Sequence, residues 1–76
     1  MTEYTMRCGD LRLIARRDLT GWSWVIDGPG VKNVAIAKNE DSAKNACINV
    51  AKVRLRVRGI PIPESLNQPQ WRAQSL

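Results

Sequence analysis

The stretch that decides the fold runs from Asn39 to Gly59 and reads NEDSAKNACINVAKVRLRVRG. Asn39 is a favourable N-cap, and Glu40 and Asp41 follow in the first turn, where the helix dipole favours carboxylates. Small and apolar residues then recur every three or four positions, which predicts an amphipathic helix whose apolar stripe faces a sheet. The stripe comprises Ala43, Ala46, Cys47, Val50, Val53 and Val57.

The end of this helix is also marked in the sequence. Gly59 can adopt the left-handed conformation of a Schellman ending, and Pro61 prevents the helix from continuing. An alternative stays open, because residues 53–58 also alternate with period two and Arg54 falls near the middle of the stripe. The helix would then end near Arg54, with extended chain after it. The stop signal favours a helix through Val57.

Two segments before the helix alternate with the period of a β-strand. In residues 11–16 the leucines lie on one face and the arginines on the other. In residues 22–27 both tryptophans share a face. Between the two segments, Asp18 and Gly21 favour a hairpin loop of about four or five residues.

A third strand is predicted over residues 31–37, beside the second one. It follows the strongest turn signal of the chain, Asp27 to Gly30, and it is rich in β-branched residues. Both of its faces are apolar, which is typical of a strand that is at least partly covered on both sides. Whether residues 2–6 add a short edge strand through Tyr4 and Met6 is left open.

The predicted fold class is α+β, with a three-stranded antiparallel sheet, or four strands with the short edge strand, packed against one C-terminal helix in the order β-β-β-α. The 76 residues are enough for one small domain, which we expect over residues 1–60. Pro61 and Pro63 keep the following residues out of a helix, and the composition is polar from Glu64 onward. Residues 61–76 are therefore predicted to form an extended, flexible tail, or one that docks lightly on the domain through Ile60, Ile62 and Leu66.

This order of elements is similar to that of the sheet-and-helix DNA-binding domains of phage-integrase amino termini and AP2 proteins. Those domains lay a three-stranded sheet in the major groove. Double-stranded-RNA-binding domains have a related layout but begin with a helix that this sequence does not predict. The resemblance lies in element order alone, since the chain has no diagnostic motif of these families. It implies a sheet that binds nucleic acid.

Charge is distributed unevenly along the chain, whose formal net charge is +5. Residues 1–51 contain seven basic and six acidic side chains, whereas residues 52–76 contain five basic side chains and one acidic one. A basic balance favours anionic partners, with nucleic acid first and an acidic protein surface second. Solvation of the sheet and compensation of the helix dipole also explain these cations. The candidate nucleic-acid-binding residues are Arg12, Arg16 and Arg17 near the first predicted strand, and Lys52, Arg54, Arg56 and Arg58 at the end of the helix.

The tryptophans support a second hypothesis, a protein-interaction or homodimerising domain. Trp22 and Trp24 are expected in the core, on the face of Leu11 and Leu13; on the open face they would instead stack on unpaired bases. Trp71 is either a strap over the core or an exposed anchor for a partner. A sheet edge together with Trp71 would serve a protein interface, so we expect a monomer or a weak homodimer.

Enzymatic activity and a cofactor are not expected. The chain has no histidine and two cysteines, too few ligands for a zinc site. The Asp27 to Gly30 turn lacks the Gly-Lys-Ser/Thr ending of a phosphate-binding loop. Cys47 lies on the apolar stripe, and Cys8 has no base partner. No apolar run reaches the length of a signal peptide or a membrane span, which predicts a cytoplasmic chain with reduced cysteines and no membrane partner.

Overall fold

A computed structural model describes residues 2–75 and shows an α+β fold with one antiparallel sheet. The first four strands form a meander, and the order across the sheet is β4-β3-β2-β1-β5. The chain passes from one edge of the sheet to the other through its helices before the last strand pairs with the first. Within the described range, the elements are β1 (Thr2–Cys8), β2 (Leu11–Asp18), β3 (Gly21–Gly28), β4 (Val31–Ala37), α1 (Glu40–Val57), α2 (Glu64–Asn67) and β5 (Arg72–Ser75).

The α+β class and the helix after the strands agree with the prediction, but the predicted number of strands is too low. The sheet has five strands, where three or four were expected. β1 is a full strand with a neighbour on each side, and β5 lies inside the segment predicted as a tail. Four residues without apolar alternation carry no strand signal of their own, so β5 depends on the partner that β1 supplies.

Tight turns connect the strands of the meander. Gly9 and Gly30 have φ values of 60° and 72°, in the left-handed region that favours glycine. The predicted hairpin is present, but only Leu19 and Thr20 lie between β2 and β3, so its loop is shorter than expected. The carboxylate of Asp18 accepts hydrogen bonds from the hydroxyl and the backbone N–H of Thr20, which hold the pKa of that carboxyl below its ordinary value.

Helix α1 has the predicted bounds and the predicted ends. The Asn39 side chain accepts a hydrogen bond from the backbone of the first turn at 2.9 Å. At the other end, the N–H groups of Gly59 and Ile60 donate to carbonyls of the last turn, which is the Schellman arrangement. The helix therefore continues through Val57 and does not end near Arg54.

The buried face of α1 differs from the predicted stripe in its second half. Val53 and Val57 are exposed, whereas Ile48 and Leu55 are buried. Because leucine and isoleucine carry more apolar area than valine, a face that includes them removes more apolar surface from water. This orientation also leaves the Arg54 side chain at the surface, where its charge is solvated.

The core lies between the sheet and α1, and the C-terminal segment closes one side of it. Both Trp22 and Trp24 lie on the helix side, as expected, with Trp24 buried. Leu66 of α2 is buried in the same cluster. The fully buried side chains of the central strands are Leu11, Leu13, Ala15 and Ile26.

β4 is an edge strand, contrary to the expectation that both of its faces are covered. Val34 and Ile36 are 56% and 89% exposed on the face away from α1. On the other face, Ala35 and Ala37 are partly buried against the core. The two-sided apolar pattern of this strand thus marks an exposed apolar surface at the edge of the sheet.

Candidate nucleic-acid interface

One face of the sheet packs against α1, and the other, the open face, is left uncovered by α1. Because successive side chains of a strand point to opposite faces, the strand register assigns each residue to one of them. The open face has three rows of side chains that run across the strands. They are a basic row of Arg7, Arg12, Asp27 and Lys32, a central row of Arg72, Thr5 and the apolar Ile14, Val25 and Val34, and a mixed row of Gln74, Glu3, Arg16, Ser23 and Ile36.

The open face is positively charged, with five basic residues and two acidic ones in its rows. Arg7 and Arg12 are directly opposite each other on β1 and β2, where like charges repel. Asp27 is opposite Arg12 on the other side. Within residues 2–75, no guanidinium group of this face lies within 4.0 Å of a carboxylate oxygen. The positive charge is therefore available to a partner.

Two of the three arginines predicted on the sheet lie on the open face. Arg12 belongs to the basic row, and the Nε of Arg16 donates a hydrogen bond to the hydroxyl of Ser23 at 3.4 Å. Arg17 falls on the other face, opposite Trp22, and is exposed near the end of β2. The thickness of the sheet thus separates Arg17 from the other two.

The basic end of α1 lies on the opposite side of the molecule from the open face. A guanidinium nitrogen of Arg54 donates to the side-chain oxygen of Asn33 at 3.1 Å, and Arg58 forms an ion pair with Asp10 at 3.6 Å. The structure therefore does not bring the two predicted basic groups onto one surface. Three members of the helix group have no ion pair within the described range: Lys52, Arg54 and Arg56.

Trp71, the predicted partner-binding residue, packs against the core at the start of β5. The Nζ of Lys44 lies 6.0 Å from the centre of the Trp71 ring and 3.8 Å from that of Tyr4. Tyr4 stacks on Trp22 with 6.4 Å between ring centres, and Lys44 is paired with Glu40 at 3.0 Å. This packing favours the strap over the exposed anchor.

The aromatic side chains of the protein lie away from the open face. Tyr4, Trp22 and Trp24 occupy the helix-facing positions of their strands, and Trp71 packs against the core cluster. The chain has no other aromatic residue. The open face consequently offers guanidinium groups, which suit phosphate, and no ring on which an unpaired base would stack.

Arg7 and Arg72 were not among the predicted binding residues. A signal for Arg7 was present, because the alternation that links Tyr4 and Met6 places Arg7 on the opposite face. Arg72 had no such signal, since the strand that orients it is formed by pairing with β1.

Both cysteines are buried and free in the described range. Burial raises the pKa of the Cys8 thiol and raises the pKa of Cys47 to about 12. The Cys47 thiol donates a hydrogen bond to the carbonyl of Val25 at 3.5 Å. Since the thiolate is the reactive form, these environments do not favour thiolate chemistry.

Among residues 2–75, no three acidic, cysteine or histidine side chains are grouped as a metal site would require. Neither α1 nor α2 combines the length and the apolar character that crossing a membrane demands.

Comparison with protein families, with curated proteins and with solved structures found no match to this chain. The basis for a functional proposal is consequently the geometry and the charge of the open face.

Proposed function

We propose that this protein is a non-enzymatic module that binds double-stranded nucleic acid through the open face, by contacts with phosphates. The observation that carries the proposal is the set of cations on this face that have no ion pair, including two arginines placed opposite each other. Like charges at such positions reduce the stability of a sheet, so their presence favours a role in binding anions.

The form of the face favours a duplex that is bound along its backbone. A single strand is usually held by stacking on aromatic rings, and these are on the other side of the sheet. Five strands spaced about 4.8 Å apart span roughly 19 Å, whereas the major groove is only about 12 Å wide. The whole sheet is therefore too wide to enter the groove as a three-stranded sheet does. A sheet that lies across the phosphates instead contacts the backbone, which carries no sequence information, so we expect binding without sequence preference.

The test is fluorescence anisotropy with a short labelled duplex, over a series of salt concentrations. Replacing two open-face cations, Arg12→Gln with Arg16→Gln, should weaken binding and make the log–log salt dependence shallower by about 2. The matched control is Lys52→Gln with Arg56→Gln, which removes the same charge from the opposite side and should have a much smaller effect. DNA and RNA duplexes are both titrated.

Two results would overturn the proposal. One is the absence of binding to either duplex at low salt. The other is an equal loss of affinity in the open-face and helix variants, since that would mean that net charge, rather than this surface, determines binding.

A second candidate function, protein interaction, is favoured by the exposed edge strand β4. Val34 and Ile36 present apolar surface there, next to unpaired backbone groups. Lys32 and Lys38 flank them, and lysines on an edge oppose pairing with another strand. For this reason self-association ranks second.

Light scattering over a range of concentrations tests this candidate. Ile36→Lys should abolish any dimer, whereas Leu19→Lys should not, because Leu19 is equally apolar and exposed but lies in the β2–β3 loop. A monomer at every concentration would contradict a homodimer.

A further inference from the structure

A concavity of about 940 Å³ opens beside the basic row, at the end of β1. β5 pairs with β1 only as far as Thr5, so within the described chain no strand lies along that side of the last residues of β1. Four residues of the C-terminal segment border the gap: Glu64, Ser65, Gln68 and Gln70. Its volume is within the range of about 300–1,000 Å³ that is usual for small-ligand sites.

Three arginines from three adjacent strands line this concavity: Arg7, Arg12 and Arg72. Arg7 and Arg12 are cross-strand partners, which places their Cβ atoms about 5 Å apart. Arg72 is the partner of Thr5, and it is therefore diagonal to Arg7 on the same face. The guanidinium groups come from three strands, so an anion between them can accept hydrogen bonds from several directions.

The other lining residues are mostly polar and contribute few negative charges. Gln68, Gln70 and Gln74 can donate amide hydrogens, and Ser65 can donate a hydroxyl. Glu64 also lines the concavity, but its carboxylate is not within 4.0 Å of any of the three arginines. This lining suits a small, strongly anionic group and would not hold an apolar ligand.

We propose that this concavity binds a phosphomonoester, the terminal phosphate of a nucleic-acid strand or the phosphate of a free nucleotide. A phosphomonoester carries up to two negative charges and three terminal oxygens, which matches three guanidinium donors better than the single charge of a backbone phosphodiester. The terminal-phosphate form of this inference rests on the proposed binding of duplexes by the open face. The free-nucleotide form does not.

Docking of the C-terminal segment completes the site. Leu66 is 1% exposed in the core, and Trp71 packs against the core cluster beside Lys44. These contacts hold both ends of the stretch that leads into β5, and so they position Arg72 against the basic row.

The experiment compares matched pairs of ligands that differ by one phosphate, using the full chain. Anisotropy is measured with the same duplex carrying either a 5′-phosphate or a 5′-hydroxyl. Amide chemical shifts are recorded with adenosine monophosphate, adenosine and inorganic phosphate. The 5′-phosphate should increase duplex affinity by roughly tenfold, the usual scale of one or two charge-assisted hydrogen bonds. Adenosine monophosphate should shift residues of the concavity more than adenosine does.

Arg72→Gln should abolish the preference for the 5′-phosphate. Its affinity for the 5′-hydroxyl duplex should fall no further than that of Arg16→Gln, because each variant removes one open-face cation. Arg56→Gln, on the far side of the molecule, should keep the preference, and thermal melting of both variants checks that they fold. Arg72→Lys retains the charge but loses the planar fork, so it should restore part of the preference.

The outcomes separate the two proposals. Equal affinity for both duplexes, together with no response to adenosine monophosphate, would overturn the phosphate site and leave duplex binding in place. A response to adenosine monophosphate without any duplex binding would overturn the proposed function and identify a free nucleotide as the ligand. A preference for the 5′-phosphate that persists in Arg72→Gln would overturn the site.

Discussion

The two faces of the sheet are built from the same strands, and yet they differ in nearly every physical property. On the helix-facing side, Leu11, Leu13 and Ile26 are fully buried. On the open face, arginines stand opposite each other, and Ile36 is 89% exposed. The period-two alternation of the strands produces both faces at once, so one face supplies stability and the other is free to carry charge.

A consequence of this division is that substitutions on the two faces should separate stability from binding. The core of a 76-residue domain is small, and few residues contribute to it. The open-face cations contribute little to that core, and some of them oppose folding.

The largest change in the free energy of unfolding is expected from a substitution at the centre of the helix-facing side. Leu13→Ala should lower the free energy of unfolding by about 2–5 kcal/mol, because it removes a fully buried side chain and leaves a cavity. Ile36→Ala on the open face should change it by less than about 0.5 kcal/mol. Urea denaturation followed by tryptophan fluorescence measures both. Similar losses in the two variants would mean that the faces do not differ in this way.

The next largest loss of stability is expected where the helix-facing side is tightly packed, at Gly28. A Cβ atom on Gly28 would lie 2.8 Å from Cδ2 of Leu11 and 3.0 Å from the carbonyl oxygen of Asp10. Gly28→Ala should therefore cost about 1–3 kcal/mol through overpacking.

A double-mutant cycle with Leu11→Val identifies the cause of that loss. If the leucine methyl is the obstacle, the combined variant should be more stable than the sum of the single effects predicts. Strict additivity would assign the loss to the backbone contact with Asp10.

The helix-facing side could largely be predicted from the sequence, because burial requires apolar residues at regularly spaced positions. The alternation around Leu13 and Trp24 gave the side that faces α1, and the cap at Asn39 and the stop at Gly59 gave both ends of the helix. The stripe was misassigned at Val53. Valines and the larger Ile48 and Leu55 form two overlapping apolar faces of α1, and packing against the sheet determines which of the two faces is buried.

The open face was predicted only in part, because exposed positions are not constrained by a core. Arg12 and Arg16 followed from the alternation of β2, while the orientation of Arg72 depends on its pairing with Thr5, which is distant in sequence. A four-residue strand at the edge of a sheet is specified by its partner. The concavity between β1 and the C-terminal segment depends on that pairing too, so it had no sequence signal.

A further prediction concerns pH and the buried thiol of Cys47. Its pKa is raised by burial from 9.0 to about 12, so the folded state holds this proton more tightly than the unfolded state. This contribution to stability is complete below pH 9 and is lost as the pH rises toward 12. The loss attributable to this thiol should be roughly 1 kcal/mol for the first pH unit above 9.

Urea denaturation at neutral pH and at pH 10 measures this loss. Cys47→Ala should be less stable at neutral pH because it leaves a small cavity, but its stability should fall less between the two pH values. Other groups that titrate in this range are common to both proteins and cancel in the comparison. Parallel pH dependence in the two proteins would contradict the raised pKa.

The smallest expected change in the free energy of unfolding comes from substitutions on the open face. It should have opposite signs at two arginines. Arg7 is opposite Arg12, so Arg7→Gln removes a repulsion and should raise the free energy of unfolding by about 0.2–1 kcal/mol at low salt. Arg16 is opposite Glu3 and donates to Ser23, so Arg16→Gln should lower it by a similar amount.

Salt distinguishes these electrostatic effects from effects of packing. Both differences should shrink toward zero in about 1 M salt, where the screening length falls to about 3 Å. A loss of stability in Arg7→Gln that persists at high salt would show that this arginine packs as part of the fold. If the predicted signs hold, the protein retains Arg7 at a cost to its own stability, and that cost is what an anion-binding face would require.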